Sequence, residues 1–212
     1  MAFKIAIMQP YFFPYAGYHR LLREADHFVI FDCVQFPRRG YVHRNQLPVS
    51  DNHTGAMKWL SLPLAKASRE TRICDLRFAQ NANEEWSERL AQHSCLTDLS
   101  RHDSELDAVL RSVDETKNVV DYLEQTIRLS CERLGISASL SRSSELNIPA
   151  SVNGQERIIT IARHFSADTY INAPGGKDLY DYEIMQSVGI ELTFLSDYEG
   201  PNHSVLYEFV NK

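Results

Sequence analysis

Between Met8 and Gln46 the chain concentrates side chains that can do chemistry. Asp32, His19 and His43 are the candidates for proton transfer, because a carboxylate or an imidazole can accept a proton from an attacking amine or hydroxyl. Each has a structural alternative, since Asp32 can cap a turn at a strand end and an isolated histidine is more often part of a core. The same segment offers hydrogen-bonding and aromatic side chains suited to a small polar ligand: Gln9, Tyr11, Tyr15, Tyr18, Gln35 and Asn45.

Two groups of residues are candidates for holding an anion. Guanidinium groups grip phosphate or carboxylate through paired N–H donors, and three lie close together: Arg38, Arg39 and Arg44. The second group directly precedes a predicted helix, where backbone amides favour an anion: Gly175, Gly176 and Lys177. A solvated turn and a plain loop with Asp178 as N-cap are the respective alternatives. The glycine loop matches neither a Walker nor a GxGxxG pattern.

Composition excludes several classes of function. The 212 residues are 43% hydrophobic and 24% charged, as in ordinary globular proteins, and the net charge is −6. Because no global basic field exists, we expect no nucleic acid or anionic membrane as the primary partner. The four cysteines are widely spaced and no HExxH pattern occurs, so we expect no metal, and no cofactor can be named.

The same properties indicate where the protein resides. No apolar run approaches the roughly 20 residues needed to span a bilayer. The N-terminal run "FKIAIM" is too short, and too soon interrupted by Pro10, to be a signal peptide. We therefore expect a cytoplasmic protein with reduced cysteines. The sequence does not indicate an oligomeric state.

The N-terminal elements predict where the candidate residues converge. Phe3 to Met8 is an apolar run typical of a strand covered on both faces, and two prolines make Gln9 to Pro14 a loop. Tyr15 to Ala25 is a predicted helix and His27 to Phe31 a second strand. Such a βαβ unit has parallel strands, whose carboxyl ends share one rim. Asp32 to Gln35 should therefore lie at the same rim as the first loop.

A second βαβ unit is predicted near the C-terminus. Asn153 to Phe165 is a helix with Asn153 as its N-cap, followed by a strand at Asp168 to Asn172. A helix over Asp178 to Val188 and a strand over Ile190 to Leu195 complete the unit. The fold class is therefore α/β: a mostly parallel sheet built from βαβ units with helices on both faces, plus a helical middle section.

The middle of the chain is more varied. We predict strands at Tyr41–Leu47, Lys58–Leu64 and Ile73–Phe78, a hairpin loop at Ser50–Gly55, a helix from Asn83, a short helix with loops in Thr97–Asp114, a helix at Val119–Leu134, and a strand end or polar loop at Ser139–Glu145. The domain prediction is a single domain, 1–212, with a helical insertion or subdomain at about 83–135.

Several stretches resemble the WbqC-like protein family: "QPYFFPYAGY", "DHFVIFDCVQF", "RRGYVHRN" and "WLSLPL". The later "YINAPGGKDLY" and "GIELTFL" and the terminal "SVLYEFVNK" are similar to its second half and its closing segment. The resemblance thus spans nearly the whole chain. The family's motif residues correspond by position to Gln9, Pro10, Pro14, Gly17, Tyr18, Asp32, Val34, Gln35, Arg44 and Asn45.

The resemblance implies a role in the synthesis of bacterial surface polysaccharide, such as the O-antigen of lipopolysaccharide. It suggests an enzyme that transfers an acyl group, such as glycyl, to the amine of a nucleotide-linked amino sugar. In that reading Asp32 is the base or the amine anchor, the arginines and the Gly175–Lys177 loop hold the diphosphate, and Tyr11 or Tyr15 stacks on base or sugar. The partner would then be a small-molecule substrate. No motif identifies the acyl donor.

The chain departs from the family pattern at three positions. Cys33 stands where the family usually has a second Asp, His19 where it usually has Phe, and His43 where Asn is common. If the acidic pair is the catalytic device, Cys33 puts the activity or the substrate in question. One alternative is a non-catalytic sugar-nucleotide-binding or scaffold protein. Another is a degenerate nucleotidyltransferase-like enzyme, in which Tyr15 and Tyr18 replace the histidines of an HxGH signature.

Overall fold

A computed structural model of the protein describes residues 2–49 and 56–211. The predicted hairpin loop at Ser50–Gly55 lies outside these residues. The strands are β1 Lys4–Met8, β2 His27–Ile30, β3 Arg44–Pro48, β4 Met57–Ser61, β5 Ser139–Arg142, β6 Thr169–Asn172 and β7 Glu191–Phe194. The α-helices are α1 Ala16–Glu24, α2 Ala82–Ala91, α3 Leu99–His102, α4 Ser104–Leu110, α5 Val119–Arg133, α6 Gly154–His164, α7 Tyr182–Ser187 and α8 Val205–Val210.

Five strands form one parallel sheet in the order β5-β2-β1-β6-β7. The chain builds outward from β1 through β2 to β5, and then crosses to the other side of β1 to form β6 and β7. This reversal of strand order is the switch point of a doubly wound sheet, where a crevice opens between neighbouring loops beyond the strand ends. The predicted α/β class and both βαβ units are confirmed.

The sheet is covered by helices on both faces because its central strands are apolar on both sides. Ala6, Phe28 and Ile30 face a core completed by α1 and α5. The alternate residues of the same strands, among them Ile5 and Val29, face a second core completed by α6 and α7. Residues next to each other in a strand point to opposite faces, so a strand buried on both sides must be apolar throughout.

The middle section holds a two-stranded antiparallel sheet of β3 and β4 and the helices α2 to α5. The clearest predicted helix, Val119–Leu134, matches α5. Asn118 caps this helix by accepting a hydrogen bond from the Val120 amide, and Gly135 follows it with φ +63°. None of the helices in residues 2–49 and 56–211 has the length and apolar content needed to cross a bilayer.

Several local predictions were wrong. Ile73–Phe78 is not a strand: it contains a 3-10 turn at Ile73–Asp75, and Phe78 pairs with Leu64 only as an isolated bridge. The polar stretch from Ser139 includes a full strand, β5, which pairs with β2 at the sheet edge. An edge strand needs little apolar burial, so its sequence does not alternate clearly.

Helix boundaries near the C-terminus also differ from the prediction. α7 begins at Tyr182, not at Asp178, and its N-cap is Asp181, whose carboxylate accepts from two backbone amides of the first turn. The preceding Pro174–Leu179 is a separate 3-10 helix. Asn153 is the N-cap residue of α6, as predicted, but its side chain donates to the Ser151 carbonyl and makes no capping hydrogen bond.

Candidate functional site

The carboxyl ends of β2 and β5 are joined by hydrogen bonds to Asp32. Its carboxylate is 1% exposed and accepts from the Ser143 hydroxyl at 3.0 Å, the Ser144 amide at 2.8 Å and the Ser144 hydroxyl at 2.6 Å. The Ser143 hydroxyl also accepts from the amides of Asp32 and Cys33. Asp32 therefore holds this turn in place. Its carboxylate is connected to the surface by the hydrogen bond from the hydroxyl of the exposed Ser144.

A cavity of about 470 Å³, here called the rim cavity, opens beside this turn. Its polar lining residues are Cys33, Gln35, Arg72, Ser143, Ser144, Asn147, Asn153 and Arg157. A second cavity of about 340 Å³ shares Val34, Asn153 and Arg157 with it and extends toward Leu179 and Tyr180. Both lie beyond the carboxyl ends of parallel strands, where doubly wound proteins bind their ligands.

The rim cavity has two charged side chains: Arg72 is exposed and pairs with Asp75 at 2.8 Å, whereas Arg157 is buried. Arg157 is 8% exposed, and its guanidinium donates to the carbonyls of Val152 and Pro149, both at 2.7 Å, and to Cys33 Sγ at 3.4 Å. No carboxylate forms an ion pair with it in the described part of the chain. A buried charge is costly unless an opposite charge accompanies it. Arg157 is thus placed to receive an anionic ligand.

A different cavity, here called the His43 cavity, lies between the 36–43 segment and α2. It has a volume of about 610 Å³, and its lining includes Phe36, Arg38, His43, Leu62, Lys66 and Arg89. Burial, and secondarily Arg44 and Arg89, lowers the pKa of His43 to about 4, so its imidazole is neutral near pH 7. Its Nδ1 atom is buried without a hydrogen-bond partner.

The predicted tyrosines converge on a third cavity, of about 260 Å³, lined by Tyr11, Tyr15, Tyr41, Asn45 and Asn202. The Asn45 side chain does not project freely into it, because its amide donates to the carbonyls of Phe12 and Phe13 at 3.1 and 2.7 Å. Asn45 instead holds the loop that follows β1.

Tyr18 and Gln9 are joined to each other. The buried Tyr18 hydroxyl donates to the Gln9 carbonyl at 2.9 Å, and burial holds the pKa of Tyr18 well above its usual value. Gln9 lies beside the switch point of the sheet but lines none of the cavities described above. Tyr18 stands where HxGH enzymes have their second histidine. Because Tyr18 is buried and hydrogen-bonded in the core, it is not placed as a reactive side chain.

The three predicted arginines do not form a single grip. Arg38 lines the His43 cavity and donates to the Ala67 carbonyl. Arg44 donates to the carbonyls of Gly40 and Arg39, and its guanidinium lies 4.3 Å from the centre of the Trp59 ring. Arg44 therefore stabilises the turn that carries Arg39.

The predicted glycine loop is part of the 3-10 helix Pro174–Leu179, so it does not open onto α7. Gly175, Gly176 and Lys177 line none of the cavities described above. A Cβ at Gly176 would come within 2.4 Å of the Asn172 amide nitrogen, which shows that the backbone packs closely on that side chain. The anion site was predicted because the loop would directly precede an α-helix, and the loop does not do so.

His19 lies inside the core on α1. It is 3% exposed, its Nδ1 is 3.2 Å from the Tyr15 carbonyl oxygen, and its Nε2 is buried without a partner. Burial lowers the pKa of His19 to about 4. It lines none of the cavities described above, so the geometry favours a structural role over proton transfer.

Sequence reasoning did not single out Arg157, Ser143 or Ser144. The sequence does contain a signal for Arg157, because this residue lies on the buried side of α6 together with Ile158 and Ile161. A charged residue on the apolar side of an amphipathic helix requires a partner. No comparable signal marks the serines. Within residues 2–49 and 56–211, no group of three or more His, Cys, Asp or Glu side chains is arranged to hold a metal ion.

These features place the chain in the class of doubly wound α/β proteins with polar cavities beyond the strand ends. The chain belongs to the WbqC-like protein family, whose model matches residues 9–211. It is also similar to an uncharacterized protein of Mycobacterium tuberculosis, with 23% identity over 206 residues that cover 93% of this chain and 83% of the relative. No solved structure matches the chain.

Proposed function

We propose that the protein is a sugar-modifying acyltransferase of surface polysaccharide biosynthesis. It transfers an acyl group, such as glycyl, to the amine of a nucleotide-linked amino sugar. The observation that carries this proposal is the buried Arg157 guanidinium, which has no carboxylate partner in the described residues and lines a cavity rich in amide and hydroxyl groups. Such a cavity suits a ligand that is anionic and carries many hydroxyls.

In this proposal Arg157 holds an anionic group of the sugar nucleotide. Gln35 and Asn153 each use one amide N–H on a backbone carbonyl, of Arg69 and Ser151 respectively. Their second N–H and their oxygen, together with the Asn147 amide, face sugar hydroxyls and the acyl oxygen in this proposal. Negative charge that develops on the acyl oxygen during attack would be stabilised by such donors. In this proposal the side-chain amides of the rim cavity therefore donate the hydrogen bonds that stabilise the acyl oxygen.

Asp32 acts as a base through Ser144. As the amine attacks the acyl carbonyl, an N–C bond forms, and the leaving group of the acyl donor departs with the electron pair of the bond that breaks. The amine proton passes to Ser144 Oγ, while the Ser144 proton passes to Asp32 Oδ2, 2.6 Å away. The proton therefore ends on the carboxylate, and Ser144 is the group that contacts the substrate.

One observation favours a non-catalytic alternative. All the hydrogen bonds described for the Asp32 carboxylate come from Ser143 and Ser144, and Cys33 replaces the second acid that the family pattern usually has. A site with a satisfied carboxylate can bind a sugar nucleotide and present it to a partner enzyme without catalysing a reaction.

The test separates binding from turnover. We expect UDP-glucosamine to bind the wild type in calorimetry, Arg157→Gln to weaken binding about tenfold or more, and the exposed control Arg101→Gln to leave it unchanged. Ser144→Ala should keep the affinity and lose transfer, measured by mass spectrometry with a panel of glycyl and acyl donors. Binding without transfer by the wild type supports the scaffold alternative, and absence of binding refutes both functions.

A further inference from the structure

The His43 cavity is lined by positively charged side chains. Lys66 is exposed, and no hydrogen bond or ion pair is described for it. Arg38 is also exposed and uses one nitrogen to donate to the Ala67 carbonyl. Arg89 pairs with Glu85 on its own helix and also donates to the Ser61 carbonyl, so its charge is partly compensated. No carboxylate is among the residues that line this cavity.

His43 adds a neutral polar group to this charged surrounding. Its ring packs edge-on against Phe36, with ring centres 5.1 Å apart. Nδ1 is buried and has no partner, which costs free energy unless a ligand or water supplies one. Because Nδ1 is also closed to solvent, a ligand in the cavity contacts other atoms of the ring.

The remaining walls of the cavity are apolar. Phe36 and Leu62 are buried core residues whose edges reach the cavity, and Leu64 and Ala67 continue the apolar surface. A volume of about 610 Å³ lies within the range of small-molecule sites. A lining that combines cations with apolar groups matches a ligand that has an anionic end and an apolar or aromatic end.

We propose that the His43 cavity is a second ligand site, which binds an organic phosphate of the nucleoside-phosphate type. The phosphate groups contact Arg38 and Lys66, with Arg89 behind them. The organic portion packs on Phe36, on Leu62 and on the neutral His43 ring. This site goes beyond the proposed function and does not depend on it.

The two cavities share a wall. Gln35 lines the rim cavity, while the next residue, Phe36, lines the His43 cavity. The segment that carries both is held by hydrogen bonds from the Phe36 amide to the Thr71 carbonyl and from the Ile73 amide to the Val34 carbonyl, both 2.9 Å. If the proposed acyl transfer holds, a phosphate-bearing donor bound in the His43 cavity would lie on the other side of this wall from the acceptor.

The experiment titrates the full chain with ADP and with inorganic pyrophosphate by calorimetry. We expect ADP to bind more tightly than pyrophosphate, because only ADP has a portion for the apolar wall. The double variant Arg38→Gln/Lys66→Gln should weaken ADP binding about tenfold or more, since a hydrogen bond to a charged group is worth at least that factor. The exposed pair Arg101→Gln/Arg163→Gln removes the same charge elsewhere and should have little effect.

Arg157→Gln distinguishes this site from the rim cavity, because it weakens any binding of ADP through Arg157, whereas ADP binding in the His43 cavity should persist in this variant. If Arg157→Gln weakens ADP binding while the Arg38/Lys66 variant does not, ADP occupies the rim cavity and the second site is refuted, although the proposed function is not. Equal effects of the double variant and its control would reduce the binding to general charge attraction and overturn the proposal. No binding of ADP, or binding no tighter than that of pyrophosphate, would also overturn it.

Discussion

Replacement of His19 by Phe tests whether this histidine is structural or catalytic. Burial lowers the pKa of His19 from 6.5 to about 4. The folded protein therefore binds fewer protons at this residue than the unfolded chain between these two pH values. Stability is unaffected by His19 above the ordinary pKa, falls as the pH drops from 6.5 toward 4, and levels off below that.

The size of the effect follows from the two pKa values. Between about pH 7 and about pH 5, the His19 contribution lowers the free energy of unfolding by roughly 2 kcal/mol. His19→Phe removes this loss, and it also removes a buried nitrogen without a partner, which should raise stability at about pH 7 by roughly 1 kcal/mol. Urea unfolding of wild type and variant at both pH values measures the difference. Other titrating groups, such as His43, are present in both proteins and cancel.

The control is His102→Phe, because His102 is exposed on α3. We expect this variant to show the same pH dependence as the wild type. His19→Phe should also retain binding of UDP-glucosamine, since His19 lines none of the cavities described. Equal acid destabilisation of wild type and His19→Phe would show that His19 titrates normally in the folded state. That result would refute the structural role and restore His19 as a candidate base.

Three further predictions concern the loop after β1, the rim cavity and the start of α7. Asn45→Ala removes the side-chain amide that binds two carbonyls of the loop after β1, and should cost roughly 2 kcal/mol in urea unfolding; an unchanged stability would contradict this role. Cys33→Asp gives Arg157 a carboxylate partner and should weaken UDP-glucosamine binding roughly tenfold by calorimetry, whereas unchanged affinity would separate Arg157 from the ligand. Asp181→Ala should lower the stability by about 1 kcal/mol as a lost N-cap, while Asp178→Ala should change it by less than about 0.5 kcal/mol; the reverse order would place the helix start at Asp178.

The elements that could be predicted from sequence are those whose burial imposes a period. α5 and α6 have apolar residues spaced by three and four, and β1 and β2 are apolar on both faces because helices cover both sides of the sheet. β5 was not recognised as a full strand, because it lies at the sheet edge and its residues are only partly buried. The start of α7 was misplaced because a 3-10 helix precedes it, and both kinds of helix favour similar residues.

The candidate site could be predicted only in part. The rule for parallel strands brought Asp32 and Gln35 to the rim, since it depends on strand direction alone. The contact between Arg157 and Cys33 joins residues 124 positions apart, and no spacing within the sequence indicates it. Arg38 and Arg44 are near neighbours in the chain and are separated by a turn. Arg38 lines the His43 cavity, whereas the Arg44 guanidinium packs on the Trp59 ring. Closeness in sequence was therefore a poor guide to convergence.

Cys33 explains why the charge of Arg157 matters in this chain. A carboxylate at position 33, as the resemblance would usually place there, would lie within reach of the guanidinium and neutralise it inside the protein. A thiol accepts only a weak hydrogen bond and leaves the charge uncompensated. Under the proposed function, the ligand supplies the anionic partner of this buried cation. Under the same proposed function, Cys33 leaves Arg157 available to an anionic ligand where a carboxylate would form an internal ion pair.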